Sequence, residues 1–173
     1  MVLRRATVRD GKAIADLVAS FARRGALLPR QEKDVIGTID DWMVAFQGDT
    51  LLACGSLLVY SPTLAEIRSL AVASQAQGQG IGSAVVGALV QRAADREIRQ
   101  LFALTRAVPF FRSLGFRVKP NVTFPEKVWR DCRLCPFQEA CDEVAVVFDV
   151  SSAAALTGLD RSRPNMGGSY VGN

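Results

Sequence analysis

The stretch Gln77-Gly78-Gln79-Gly80-Ile81-Gly82 stands between an apolar run at 67–72 and a long segment with helical apolar spacing. A strand, a glycine-rich turn and a helix therefore follow one another. Glycines at alternate positions let the backbone take positive φ and approach a ligand without Cβ clashes, while the first-turn N–H groups of the following helix point outward. The helix end adds roughly half a positive charge, which suits a phosphate or pyrophosphate. A plain turn would use glycine too. Two other phosphate loops are excluded: no Lys-Ser or Lys-Thr pair follows the last glycine, and no acidic residue ends a strand about 20 positions on, where a dinucleotide ribose would need it.

Upstream of the loop, β-branched and alternating residues at 2–8 read as a strand, with Asp10 as the N-cap of a helix carrying the stripe Ile14, Leu17, Val18 and Phe21. Arg23, Arg24 and Gly25 mark its end, and a second short helix is expected at about 30–39. Residues 42–46 and 51–60 flank Gln47-Gly48-Asp49-Thr50 as a hairpin, and a further strand at 65–72 completes an antiparallel meander. Downstream, Ile81, Val85, Leu89 and Ala93 form a helical stripe, and 101–104 is the next strand, so a parallel crossover surrounds the loop. Pro109 opens a short helix that Gly115 stops, and 116–118 and 144–150 close the sheet. The fold class is α/β with a mixed sheet, one domain over 1–150. From Ser151 small and polar residues replace the apolar periodicity, and 151–173 is expected to be a disordered tail.

Composition narrows the partners. The chain has 173 residues, 49% hydrophobic, enough for a core of its own, and no apolar run long enough to span a membrane or serve as a signal peptide. A cytoplasmic location is expected. The net charge of +4 is spread along the chain, which argues against a nucleic-acid partner. With no histidine, any general base must be a carboxylate, a thiolate, a water chain or the substrate itself.

The order of elements, with Gln77, Gly80 and Gly82 in the loop and Phe110-Phe111-Arg112-Ser113-Leu114-Gly115-Phe116 after the crossover, resembles the GNAT acetyltransferase superfamily over nearly all of 2–150. Within it, Arg4-Arg5-Ala6-Thr7, Leu27-Leu28-Pro29-Arg30, the strand 66–72, Leu104-Thr105-Arg106, Phe124-Pro125-Glu126-Lys127 and Asp131-Cys132-Arg133-Leu134-Cys135-Pro136 resemble the short-form N-acetylglutamate synthase family. The resemblance implies acetyl-CoA as cosubstrate, its pantetheine along Leu70, Ala71 and Val72, and its pyrophosphate on the amides of Gln77, Gly78, Gln79, Gly80, Ile81, Gly82 and Ser83. It also implies a homodimer. Where the family's loop often carries arginine, this chain has Gln77 or Gln79.

The reaction so implied moves an acetyl group from acetyl-CoA to an amino-acid amine. The amine attacks only when neutral, so something must take its proton. Glu66 is the candidate base, facing the cleft with Arg68 by strand alternation; the alternative is a surface or salt-bridged glutamate at a strand start. Phe111 occupies the position at which many members of the superfamily place an acidic tyrosine, so no dedicated acid is expected, and Tyr60 reads as a plain strand residue. Bidentate recognition of a dicarboxylate needs guanidinium, which nominates Arg30, Arg68 and Arg106, with Lys127 nearby. Cys132, Cys135 and Cys141 have the beginning of a zinc spacing but lack a fourth ligand, for which Cys54 or Asp142 are candidates; reduced packing and a redox pair are the alternatives. Three functions stand: N-acetylation of L-glutamate, acetylation of glutamine, 2-aminoadipate or a protein amine, and acetyl-CoA sensing by a module without catalysis.

Overall fold

The structure, a computed structural model, describes residues 1–120 and 141–151, together with the backbone of 171 and 172. Strands β1 (Val2–Arg5), β2 (Trp42–Gln47), β3 (Thr50–Ser61) and β4 (Leu64–Val72) form the antiparallel half of one sheet. Helix α1 (Gly11–Ala22) and the short α2 (Glu32–Gly37) connect β1 to β2, and α3 (Ile81–Asp95) connects β4 to the parallel β5 (Gln100–Thr105). Then come α4 (Val108–Ser113), β6 (Arg117–Lys119), β7 (Val144–Asp149) and the two-residue β8 (Val171–Gly172). The sheet order is β1-β2-β3-β4-β8-β5-β7-β6.

Strand alternation divides the buried side chains into two layers. Ala65, Ile67, Leu70 and Val72 of β4, with Leu101 and Ala103 of β5, pack under Val85, Val86, Leu89 and Val90 of α3 and Phe110 and Phe111 of α4. On the opposite face, Ile14, Val18 and Phe21 of α1 cover Val44, Cys54 and Ala71, while Phe102, Leu104, Ala145 and Val147 form a separate apolar cluster. The expected stripes of α1 and α3 are thus the faces that bury them.

Several expected boundaries shift. The first strand ends at Arg5, because Asp10 turns the chain: its carboxylate accepts from the Thr7 amide at 2.7 Å, the Thr7 hydroxyl at 2.9 Å and the Arg4 guanidinium at 2.7 and 2.9 Å. Asp10 precedes α1 without capping it through its side chain, contrary to expectation. The Arg4 bond, outweighing the cost of burial, holds the Asp10 carboxyl down at about 2. Gly25 ends the α1 turn at φ 68, as the sequence indicates, and α2 is shorter than expected, followed by a tight turn at Ile39–Asp41. Strand β7 lies between β5 and β6.

One irregularity shapes the centre of the sheet. Between the pairs Cys54 with Ala71 and Ser56 with Arg68, Ser69 and Leu70 oppose Gly55 alone, and Ser69 takes φ 53. This β-bulge shifts the alternation by one, so Arg68 and Ala71 lie on the α1 face while Leu70 turns under α3. Gly55 makes room for it: a Cβ there would stand 3.1 Å from Leu89, 3.2 Å from Val85 and 3.3 Å from Leu70.

Candidate functional site

The glycine loop closes the C-terminal end of β4. Gly78 and Gly80 sit at φ 74 and 75, and Gly80 is the residue before α3, so the amides of Ile81, Gly82 and Ser83 open the helix without intrahelical acceptors. The glutamines are otherwise occupied: Gln77 Nε2 donates to the Val72 carbonyl at 3.0 Å, and Gln79 Nε2 to the Gln75 carbonyl at 2.9 Å. Their carboxamides brace the turn. Gly82 answers to packing instead, since a Cβ would meet Val72 at 3.2 Å and Phe110 at 3.5 Å.

Beside the loop, β4 and β5 part. They pair in parallel only from Leu64–Glu66 to Gln100–Phe102. Beyond the bulge, Leu70 pairs with Gly172 and Ala71 with Val171, and Gly172 pairs with Thr105 on the far side. The gap is therefore one extended strand wide, about 10 Å between β4 and β5 at twice the usual strand spacing. Of the backbone edge of Leu70, Ala71 and Val72 expected to meet pantetheine, β8 takes Leu70 and Ala71. Val171 and Gly172 fall in the segment expected to be a disordered tail; residues 152–170 and 173 lie outside the described residues.

Glu66 lies where the two strands begin to part, paired to Phe102 across β5 and to Leu58 across β3, and it is wholly buried. Its Oε2 accepts a hydrogen bond from the Tyr60 hydroxyl at 2.9 Å. Its burial sets aside a surface glutamate at a strand start. Arg68, half-buried, projects from the same face two residues on. Arg30 reaches this face from the segment after α1, its Nε donating to Ser69 Oγ at 3.3 Å.

Arg106 is already engaged. Its Nε donates to Asp142 Oδ1 at 2.5 Å and its Nη1 to the Gly25 carbonyl at 3.3 Å, with Glu143 Oε1 at 3.9 Å. It ties the end of α1 and the start of β7 to the end of β5, a role that sequence spacing did not indicate. Lys127 lies outside the described residues, as do Cys132 and Cys135. Cys54, suggested as a fourth zinc ligand, is fully buried under α1, and burial pushes its thiol up to about 12. Asp142, the other suggestion, is held by Arg106. No cluster of metal-ligating side chains occurs among the described residues. Phe111 is likewise fully buried, edge-on to Phe110 and Phe116, and presents no proton donor. No helix among the described residues is long and apolar enough to cross a membrane.

Sequence reasoning missed the bulge and the Tyr60–Glu66 contact. Gly55 inside a strand was the available sign of the first; nothing local announced the second.

The model of the "Acetyltransferase (GNAT) family" matches residues 15–116. An uncharacterized N-acetyltransferase from Chlorobaculum tepidum is 34% identical over 145 residues, covering 84% of this chain and 94% of its own. An amino-acid acetyltransferase from Mycobacterium tuberculosis is 36% identical over 118 residues, 66% of this chain and 67% of its own. The N-acetylglutamate synthase of Neisseria gonorrhoeae, in its crystal structure with coenzyme A and N-acetyl-glutamate, superposes with a TM-score of 0.77 at 25% identity, over 86% of this chain and 35% of that one. With its helix-flanked mixed sheet and the loop before α3, the chain belongs to the GNAT acetyltransferase family and is an acetyltransferase related to the amino-acid acetyltransferases.

Proposed function

We propose that the protein transfers the acetyl group of acetyl-CoA to the α-amine of L-glutamate in a ternary complex, the first step of arginine biosynthesis, with Glu66 as general base. The observation that carries this reading is a buried carboxylate at the divergence of β4 and β5, on the face that Arg30 and Arg68 share. The names of the M. tuberculosis and N. gonorrhoeae relatives support the substrate class.

In the proposed reaction the backbone edges of Leu70 and Ala71 hold the pantetheine in extended form, and the amides from Gln77 to Ser83 hold the pyrophosphate. The amine nitrogen forms a bond to the thioester carbonyl carbon, the carbon–sulfur bond breaks, and Glu66 takes the amine proton through one or two waters. The coenzyme thiolate, with a parent pKa near 8.5, leaves without a dedicated acid and is protonated by solvent. Arg30 and Arg68 offset the acceptor's carboxylates, and Arg106 joins them by exchanging Asp142 for a substrate carboxylate; Lys127 is assigned to the same pocket.

The test is thiol release from acetyl-CoA with each of the twenty amino acids and 2-aminoadipate. Glutamate should give the highest kcat/KM. A preference for glutamine or 2-aminoadipate would keep the chemistry and change the acceptor, and release with none of them would overturn the assignment to free amino acids.

A further inference from the structure

We propose that Tyr60 is a positioning residue for Glu66, fixing the carboxylate for proton transfer; this rests on the reading of Glu66 as the base. Three independent features bring the two side chains together. Tyr60 lies on β3 two residues after Leu58, the partner of Glu66, and so on the same face of the sheet. The β3–β4 register is irregular between Val59 and Ser61, so Tyr60 occupies the extra position of a bulge, where the strand bends. The phenol ring also leans on Phe102, centroids 5.6 Å apart, and Phe102 is the residue paired to Glu66 on the other side.

The consequence follows from what a phenol can do. Burying a carboxylate is costly unless hydrogen bonds replace water, and an O–H donor to an ionised acceptor is among the stronger replacements. With Oε2 held at 2.9 Å by Tyr60, the plane of the carboxylate is set and so is the direction of its second oxygen. A free carboxylate would spend part of its time rotated away from the relay. The phenol already carries its proton as the donor to Oε2, so it does not compete for the amine proton. Phe102 then acts as a wall that fixes the ring, which fixes the donor.

The experiment is a double-mutant cycle on full-length protein, with kcat and both KM values measured for wild type, Tyr60→Phe, Glu66→Gln and the double variant, and thermal melting run alongside. Tyr60→Phe should lower kcat roughly 10-fold, with both KM values within about twofold of wild type. In the Glu66→Gln background the same change should cost less than about twofold, because its target is gone. A full 10-fold further loss in that background would make Tyr60 a structural residue and overturn the proposal, as would an unchanged kcat in the single variant. Should Glu66→Gln itself retain the wild-type rate, the base assignment fails first and Tyr60 has nothing to position. Should Glu66→Gln lose activity while the two losses multiply, the base assignment survives and only the role of Tyr60 falls.

Discussion

If acetyl-CoA lies between β4 and β5, Val171 and Gly172 must leave before it can enter, and Gly172→Pro should therefore tighten acetyl-CoA binding. Gly172 is the sensitive point because it faces both walls of the gap, paired with Leu70 on one side and Thr105 on the other. Proline there removes a backbone donor and fixes φ. The magnitude can be bounded. Three residue pairs hold β8, and at about 1 kcal/mol net for each backbone hydrogen bond they supply about 3 kcal/mol. Bringing together two points about 20 residues apart, as Ser151 and Val171 are, opposes this by about 2.6 kcal/mol with a constant neglected. The net is below about 1 kcal/mol, so the docked strand lowers apparent affinity by at most about fivefold. Titration calorimetry of acetyl-CoA into wild type and Gly172→Pro should show Kd falling by two- to fivefold in the variant, with an unchanged melting temperature for the rest of the domain. Equal affinities would refute the competition, and weaker binding in the variant would mean that β8 supports the cosubstrate site.

Three further outcomes follow from the geometry. Gly80→Asp places a side chain and a negative charge at a position with φ 75 ahead of α3, and should abolish acetyl-CoA binding in calorimetry while the far-UV spectrum stays native; retained affinity would remove the loop from the site. The Arg4–Asp10 pair stabilises the fold above the ordinary aspartate pKa of about 3.9, and that contribution is lost as pH falls through the folded value of about 2. Allowing for screening at the partly exposed Arg4, Asp10→Asn should cost about 1–2 kcal/mol in urea unfolding at pH 7 and almost nothing near pH 2; a pH-independent difference would point to the Thr7 turn instead. Arg106→Lys keeps the charge but loses the fork, and should raise the glutamate KM by roughly 10-fold with the acetyl-CoA KM unchanged, whereas an effect confined to acetyl-CoA would move Arg106 to the cosubstrate site.

The elements around the loop were legible because each follows from short-range periodicity. The stripe from Ile81 to Ala93 can bury only one face, and the alternation at 64–72 only suits a strand. What escaped depends on partners distant in sequence. The bracing of the turn by the Gln77 and Gln79 carboxamides was not legible, and Arg106 looked available because Asp142, which holds it, lies 36 residues away. The role of Tyr60 needs the β3–β4 register, and no single strand carries its own register. The face of Glu66 was read correctly relative to Arg68, because the bulge falls at Ser69, just beyond both.

The position of that bulge ties the two halves of the candidate site to each other. Had β4 run regularly, Ser69 would have turned toward α3 and Leu70 toward α1, and the strand edge beyond Glu66 would have continued its pairing with β5. One extra residue instead swings Leu70 under α3, where Gly55 alone leaves space, and leaves Ser69 on the α1 face for the Arg30 guanidinium. The parallel pairing stops at Glu66, and the gap opens with the carboxylate at its apex. A thioester lying in that gap would present its carbonyl to the face on which Glu66, Arg68 and Arg30 stand. In the proposed arrangement the same distortion separates the strands for the cosubstrate and gathers the charged groups for the acceptor. A Gly55→Ala substitution is therefore expected to disturb both at once: its methyl meets Leu89, Val85 and Leu70 at 3.1 to 3.3 Å, and relieving an overpacked contact of this kind costs about 1–3 kcal/mol. If Leu70 moves to relieve it, acetyl-CoA affinity and glutamate KM should worsen together, although Gly55 touches neither ligand in the proposed arrangement. Loss of stability with both binding constants unchanged would show that α3 yields instead, and that the bulge does not couple the two halves.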